Sequence, residues 1–284
     1  MENNLNSPQQ ILEANISAGK VKSQTSIPKI ILLGMLAGAF IAFGASSSNV
    51  AVHSITDVGL ARTLAGSIFP VGLMLIVLIG GELFTGDCLM ITGYLDKKYS
   101  VAAIVRVLVT VFLSNFVGSM TIVLLIAYSG QFNYTGGLLG AYTIKVAMGK
   151  LTLSFGKAFI SGILCNILVC LAVLMASTAK DIAGKIWAIF FPILAFVLGG
   201  YEHCVANMYY IPAGLVAAMN PDYVAKAQEA YGYTAADFSV LTWSNFGIHN
   251  LIPVTLGNIV GGMLFVGLPL FLIHKGKFVN KNSM

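Results

Sequence analysis

Six apolar stretches, at approximately 30–50, 64–84, 101–128, 157–177, 186–217 and 250–273, run through the chain, each long enough to cross a bilayer. Roughly 20 apolar residues span the hydrocarbon as a helix. Lipid cannot satisfy exposed backbone groups, so such stretches are confined to helical geometry. The fold class that follows is an all-α polytopic membrane protein with six transmembrane helices. Only 10% of residues are charged against 57% hydrophobic, whereas soluble domains carry about 25% charged residues. Water-soluble classes are excluded on that ground.

Two stretches are interrupted in the same way. Gly80-Gly81-Glu82-Leu83-Phe84-Thr85-Gly86 ends the second, and Gly199-Gly200-Tyr201-Glu202-His203-Cys204 falls inside the fifth. Glycine releases the backbone from helical geometry, and an ionisable group at bilayer depth is costly. Helices 2 and 5 are therefore expected to be broken, with Gly80, Gly81, Gly199 and Gly200 as structural residues. Backbone groups freed at that depth must face protein or a water-filled cavity. Half-helix N-termini carry partial positive charge, which suits an anion.

The correspondence extends along the chain. Phe69-Pro70 precedes the first break and Phe191-Pro192 the second. Ser114-Asn115-Phe116-Val117-Gly118-Ser119-Met120 in span three matches Gly257-Asn258-Ile259-Val260-Gly261-Gly262-Met263 in span six. The channel domain, 30–273, thus reads as two three-span units, about 30–128 and about 157–273. Three is odd, so the second unit enters from the opposite face. That gives inverted repeats related by a pseudo-two-fold in the membrane plane, whose broken helices meet near the midplane. Asn115 and Asn258 are expected to hydrogen-bond across closely packed small-residue faces.

Segment 1–29 is polar, with a weakly amphipathic run in which Ile11, Leu12 and Ile16 would rest on lipid or protein. No basic region leads into an apolar core before the first span, so no cleaved signal peptide is expected. With six spans, one side holds eleven basic residues: Lys20, Lys22, Lys29, Lys97, Lys98, Arg106, Lys180, Lys185, Lys275, Lys277 and Lys281. The other side holds five, Arg62, Lys145, Lys150, Lys157 and Lys226. This asymmetry predicts a cell-membrane protein whose N-terminal segment and 274–284 tail are both cytoplasmic. The net charge of +5 is then a topology signal and implies no nucleic-acid partner. Cys88, Cys165, Cys170 and Cys204 lack metal-site spacing and read as buried thiols.

His203 is the sharpest candidate for chemistry, since imidazole exchanges its proton near physiological pH and sits here beside a carboxylate in a break. Thr85 holds the matching place in the first half and offers a hydroxyl. Glu82 and Glu202 are read as structural anchors that cap freed backbone N–H groups, because a fixed negative charge on a pore axis would repel an anion. Lys150 lies just before span four, where positive charge would concentrate anions. Lys145 and Lys157 are read as snorkelling interface anchors. No metal-ligand set, nucleophile elbow or phosphate loop accompanies these residues, so neither a cofactor nor an enzymatic reaction is expected.

At these residues the chain resembles the formate/nitrite transporter family over nearly its whole length. Gly80 through Gly86 is similar to the family's first signature. Gly162-Ile163-Leu164-Cys165-Asn166-Ile167-Leu168-Val169-Cys170-Leu171-Ala172 resembles its second, and Gly200 through Met208 its central-histidine segment. The resemblance implies a homopentamer of six-span protomers in the lipid bilayer, each an aquaporin-like fold of inverted three-helix repeats with its own pore, and with small monovalent anions as partners. It implies that His203 is the central pore histidine and Thr85 its partner. Lys150 and Asn166 would form a polar route from the outer vestibule. Leu83 and Phe196 would be hydrophobic constrictions, with Phe69 and Leu73 lining the pore nearby. An anion crossing apolar rings pays heavily for desolvation, and a dry interior favours the neutral acid. Proton donation through His203, or hydrogen bonding to it, would let the species cross nearly neutral. Formate leads among formate, nitrite and hydrosulfide, on the likeness of Met208–Pro212 and Asn250–Asn258 to formate members. A neutral-solute channel is the rival, but the paired Asn-Pro-Ala boxes are missing: the only Asn-Pro is Asn220-Pro221.

Overall fold

The computed structural model of the chain describes residues 5–276; Lys277, Lys281 and most of the 274–284 tail lie outside the described residues. A first helix, α1 (Pro8–Gln24), starts at a Ser7 capping box with Gln10. Its Ile11, Leu12 and Ile16 are buried, so the amphipathic face rests on protein.

Among the described residues, six helical segments are long and apolar enough to span a membrane. The first is α2 (Ile27–Val52), begun by Pro28 in its first turn. The second spans Val58–Ile79 as two pieces, α3 (Val58–Ile68) and α4 (Val71–Ile79), jointed at Phe69-Pro70. After it come two short helices, α5 (Phe84–Asp87) and α6 (Ile91–Leu95). The third is α7 (Val101–Tyr128), capped by the Ser100 side chain on the Ala103 N–H. A further helix, α8 (Leu138–Leu151), precedes the fourth span, α9 (Phe155–Ala176). The fifth is α10 (Ile182–Gly199), whose Asp181 cap accepts from the Gly184 N–H. Helices α11 (Cys204–Ala217) and α12 (Pro221–Tyr231) follow. The sixth span runs over Trp243–Lys275 with π-helical turns at Phe246–Leu251 and Gly261–Gly267; its central α-helical piece is α13 (Ile252–Val260).

The expected spans hold, with shifted limits. The 186–217 stretch is one span, Ile182–Gly199, followed by the separate α11, and the second span begins before residue 64, at Val58. Segments α8 and α12 were not anticipated, because their polar and small residues keep them below the hydropathy of a span.

Packing is set by small residues. Gly34 and Gly38 of α2 lie against Ser114 and Asn115 of α7, and Gly118 lies against Met35. The second half repeats this: Gly162 of α9 lies against Val254 and Gly257 of α13, and Gly257 against Phe159. Without a hydrophobic drive between helices in lipid, such close backbone approach is what favours association. Both pairs, α2 with α7 and α9 with α13, are among the most extensive in the molecule. They hold the two chain breaks in the interior.

Candidate functional site

In the first half α4 stops at Ile79, and Gly80 turns the chain at φ 108°, a value side-chain-bearing residues rarely adopt. The chain is non-helical until Phe84. In the second half α10 ends at Gly199, Gly200 takes φ 67°, and helix resumes at Cys204.

Two asparagines close these gaps in the same manner. Asn115 accepts the Phe84 N–H at 3.0 Å and donates to Gly34 O at 2.8 Å and Glu82 O at 2.9 Å. Asn258 accepts the Cys204 N–H at 2.9 Å and donates to Gly162 O at 2.8 Å and Glu202 O at 3.0 Å. Each therefore bonds its own break and the neighbouring span, which goes beyond the helix-to-helix role expected from sequence. Buried backbone groups need such partners, and a carboxamide can serve a donor and an acceptor together.

The glutamates do something other than cap. Glu202 Oε1 accepts from Lys150 Nζ at 2.8 Å, and its Oε2 accepts from Asn207 Nδ2 at 2.6 Å and Asn250 Nδ2 at 3.2 Å. Glu82 and Asp87 both pair with Lys22 of α1. The freed N–H groups go elsewhere: Glu82 N to Leu33 O, Glu202 N to Ser161 Oγ, and Ala206 N to His203 Nδ1. The capping expected of Glu82 and Glu202 is thus corrected to ion pairing. The carboxylates beside the breaks pair with lysines, and smaller polar groups serve the backbone.

The breaks meet at His203 and Thr85, whose Nε2 and Oγ1 are 2.8 Å apart and fully enclosed. His203 is also the N-cap of α11, its Nδ1 accepting the Ala206 N–H at 3.0 Å. An Nδ1 that accepts carries no proton, so the neutral ring holds its proton on Nε2 and donates it to Thr85. The Phe196 ring lies 5.9 Å from the imidazole, and Phe69 stands edge-on to Phe196 at 5.3 Å.

Cavities flank this contact. One of about 240 Å³ is lined by His203, Phe69, Phe196, Asn207, Arg62 and Lys150, among others. It adjoins a wider one of about 1030 Å³ that shares Arg62, Tyr142 and Lys150 and adds Lys145, Lys157 and His53. The third, about 360 Å³, lies under α1 and is lined by Leu73, Leu83, Gly86, Asp87 and Lys22. Thr85 lies between them and lines none.

The expected site residues separate accordingly. Phe196 and Phe69 lie on the histidine side, Leu83 and Leu73 on the α1 side. Lys145 and Lys157 line the wide cavity, and the Lys145 ammonium sits 4.4 Å from the Tyr231 ring centre. Asn166 does not continue a route from Lys150. It is fully buried, donating to Thr85 O at 3.2 Å and Asn258 O at 2.6 Å, so it supports the Thr85 loop from behind. Sequence reasoning missed Lys22, Asp87, Asn207 and Asn250. All four act at the breaks; Asp87 and Asn207 lie in or beside their break's signature in sequence, whereas Lys22 and Asn250 are far from theirs.

The formate/nitrite transporter family model matches residues 9–272. A protein of Methanothermobacter thermautotrophicus described as "Probable formate transporter" is 39% identical over 94% of this chain and 96% of its own length. The formate channel FocA of Escherichia coli K12 is 34% identical over 90% of each chain. A solved structure described as a pentameric formate channel with formate bound superposes with a TM-score of 0.76 at 35% identity, covering 87% of this chain and 97% of that one. The residues that the family model matches include both breaks, the asparagine pair and His203. The chain belongs to the formate/nitrite transporter family.

Proposed function

We propose that this multi-pass membrane protein is a channel for small monovalent anions, with formate as its foremost substrate, assembled as a homopentamer in the cell membrane. The observation that carries the reading is the Thr85–His203 hydrogen bond at 2.8 Å, set between one cavity lined by Lys150 and another lined by Lys22. Lys150, with Arg62, Lys145 and Lys157 around the adjoining cavity, attracts an anion from its side. Apolar side chains, Phe196 and Phe69 on one side and Leu83 and Leu73 on the other, make the middle dry. The solved relative described as a pentameric formate channel supports the substrate and the assembly. The basic-residue asymmetry supports cytoplasmic termini, with α1 on the inner side.

A dry middle penalises a bare charge, so the conjugate acid crosses more easily than the anion. His203 is poised to help as a hydrogen-bond donor. Its Nδ1 is occupied by the Ala206 N–H, and making the imidazolium would break that cap. The ring therefore stays neutral and orients Thr85, whose own O–H is left free to bond the passing species. Lys150 draws the anion in, Asn166 fixes the Thr85 loop, and the paired glutamates hold the lysines without leaving a net negative charge on the outer side.

Flux of formate, nitrite and hydrosulfide into proteoliposomes across a pH series tests this. Formate uptake faster than in protein-free vesicles supports it. Fast water or glycerol passage without anion flux contradicts it.

A further inference from the structure

The cavity under α1 contains a charge imbalance that the pore reading does not use. Glu82 and Asp87 share a single cation, the Lys22 ammonium. The equivalent place in the other half has one carboxylate, Glu202, for one lysine, Lys150. Asp87 is the extra group. Its side chain is 1% exposed, one oxygen meets Lys22, and the other, Oδ2, has no hydrogen-bond partner among the described residues. Asp87 also lines the cavity of about 360 Å³ together with Leu83. Whatever emerges past Leu83 enters beside a buried, half-satisfied carboxylate.

Such a cluster is charged −1 with both carboxylates ionised and neutral with one proton added. Burying a net charge is unfavourable, so the cluster accepts a proton readily. We propose that Asp87 is the proton-accepting residue of this cavity: it takes the proton from the conjugate acid that emerges past Leu83 and returns it to the solvent on the α1 side. The step is R–COOH + Asp87–COO⁻ → R–COO⁻ + Asp87–COOH. One O–H bond breaks, another forms, and nothing is oxidised or reduced. Lys22, relieved of Asp87, then pairs with the released anion, and the reverse step loads an outgoing anion. The inference rests on passage as the neutral acid.

The groups facing Asp87 narrow what can titrate. Lys22 on α1 is pushed above its ordinary value: burial works against its charge, but Asp87 and then Glu82 outweigh burial. It stays charged at neutral pH. Tyr99, Cys88 and Cys170 are the other titratable groups close enough to feel the Asp87 charge. Their ordinary values, about 8.5 for a thiol and about 10 for a phenol, keep them neutral below pH ~8. Glu82 and Asp87 remain as the pair that exchanges one proton.

Asp87→Asn keeps the shape and the contact with Lys22 and removes the acceptor. In proteoliposomes holding a pH-sensitive dye, formate uptake should fall on the order of tenfold or more, below the usual contribution of a placed proton acceptor. The dependence of uptake on pH between about 5 and 8 should flatten, and Asp87→Glu should restore it. Independently of any substrate, infrared difference spectra of the intact wild-type protein should show a carboxylic-acid band that titrates with pH and is lost in Asp87→Asn. An unchanged pH profile, or a uniform fall at all pH with the band retained, overturns the proposal. If Asp87→Asn fails to assemble, the titrating band and its response to Lys22→Gln decide: a band moved to higher pH supports the assignment, and an unmoved band overturns it. Failure of wild-type formate uptake would contradict the substrate reading while leaving the infrared result standing.

Discussion

His203 and Thr85, 118 positions apart in sequence, share a 2.8 Å hydrogen bond that joins the two breaks of the chain. The bond's direction is fixed by a third atom. The Ala206 N–H occupies His203 Nδ1, so Nε2 must carry the proton and Thr85 must accept it. Backbone capping at the start of α11 thus determines the tautomer at the contact between the cavities.

Replacing His203 with Phe removes both that donor and the cap. Loss of an N-cap costs about 1 kcal/mol, too little to unfold the assembly. Formate flux and its pH dependence should both change while the oligomer persists, as measured by vesicle flux and size-exclusion chromatography. Unchanged flux at every pH would remove His203 from the mechanism.

Asn115 and Asn258 should respond alike. Alanine at either leaves a buried N–H, of Phe84 or Cys204, without its acceptor. A buried unsatisfied group costs roughly 1–3 kcal/mol, and three bonds are lost in each case. Both variants should melt at lower temperature in detergent by a similar margin. A large loss in only one would break the equivalence of the halves.

Lys150→Met should slow anion entry most at low ionic strength, because the Debye length is roughly 30 Å at 0.01 M salt and about 8 Å at 0.15 M. It also strands Glu202, at a cost of roughly 3–5 kcal/mol for breaking a buried pair. Adding Glu202→Gln should recover thermal stability but not entry rate. Slowing that is equal at all salt concentrations would rule out long-range attraction.

A Cβ at Gly118 would meet Met35 O, and one at Gly257 would meet Phe159 O. Both are backbone atoms that cannot yield without separating α2 from α7 or α9 from α13. Alanine at either position should lower melting temperature and yield, each by the 1–3 kcal/mol typical of overpacking. Wild-type thermal stability in both would show that these helices can slide apart cheaply.

The six spans were legible because membrane helices declare themselves by length and hydropathy. Gly80 and Gly200 stood out as glycines beside carboxylates in apolar surroundings, and Asn115 and Asn258 through their shared spacing to Gly118 and Gly261. The partners of the carboxylates were not legible. Lys22 reaches Glu82 from a helix before the first span, and Asn250 reaches Glu202 across 48 positions. No local pattern announces a contact between segments so far apart. The same limit misassigned Asn166, whose position on α9 gives no sign that it turns toward Thr85 and away from Lys150. Nor did the sequence show that Lys145 and Lys157 share a cavity with Lys150, which α8 and α12 help to enclose.

The most direct test is formate uptake by proteoliposomes containing the wild-type protein, compared at each pH with Thr85→Val vesicles of equal protein content. Thr85→Val preserves the shape of the side chain and removes its hydroxyl. The account predicts rapid wild-type uptake with lumen acidification, and a marked loss of both in the variant. Wild-type uptake no faster than in protein-free vesicles, or equal uptake by wild type and Thr85→Val, would contradict it.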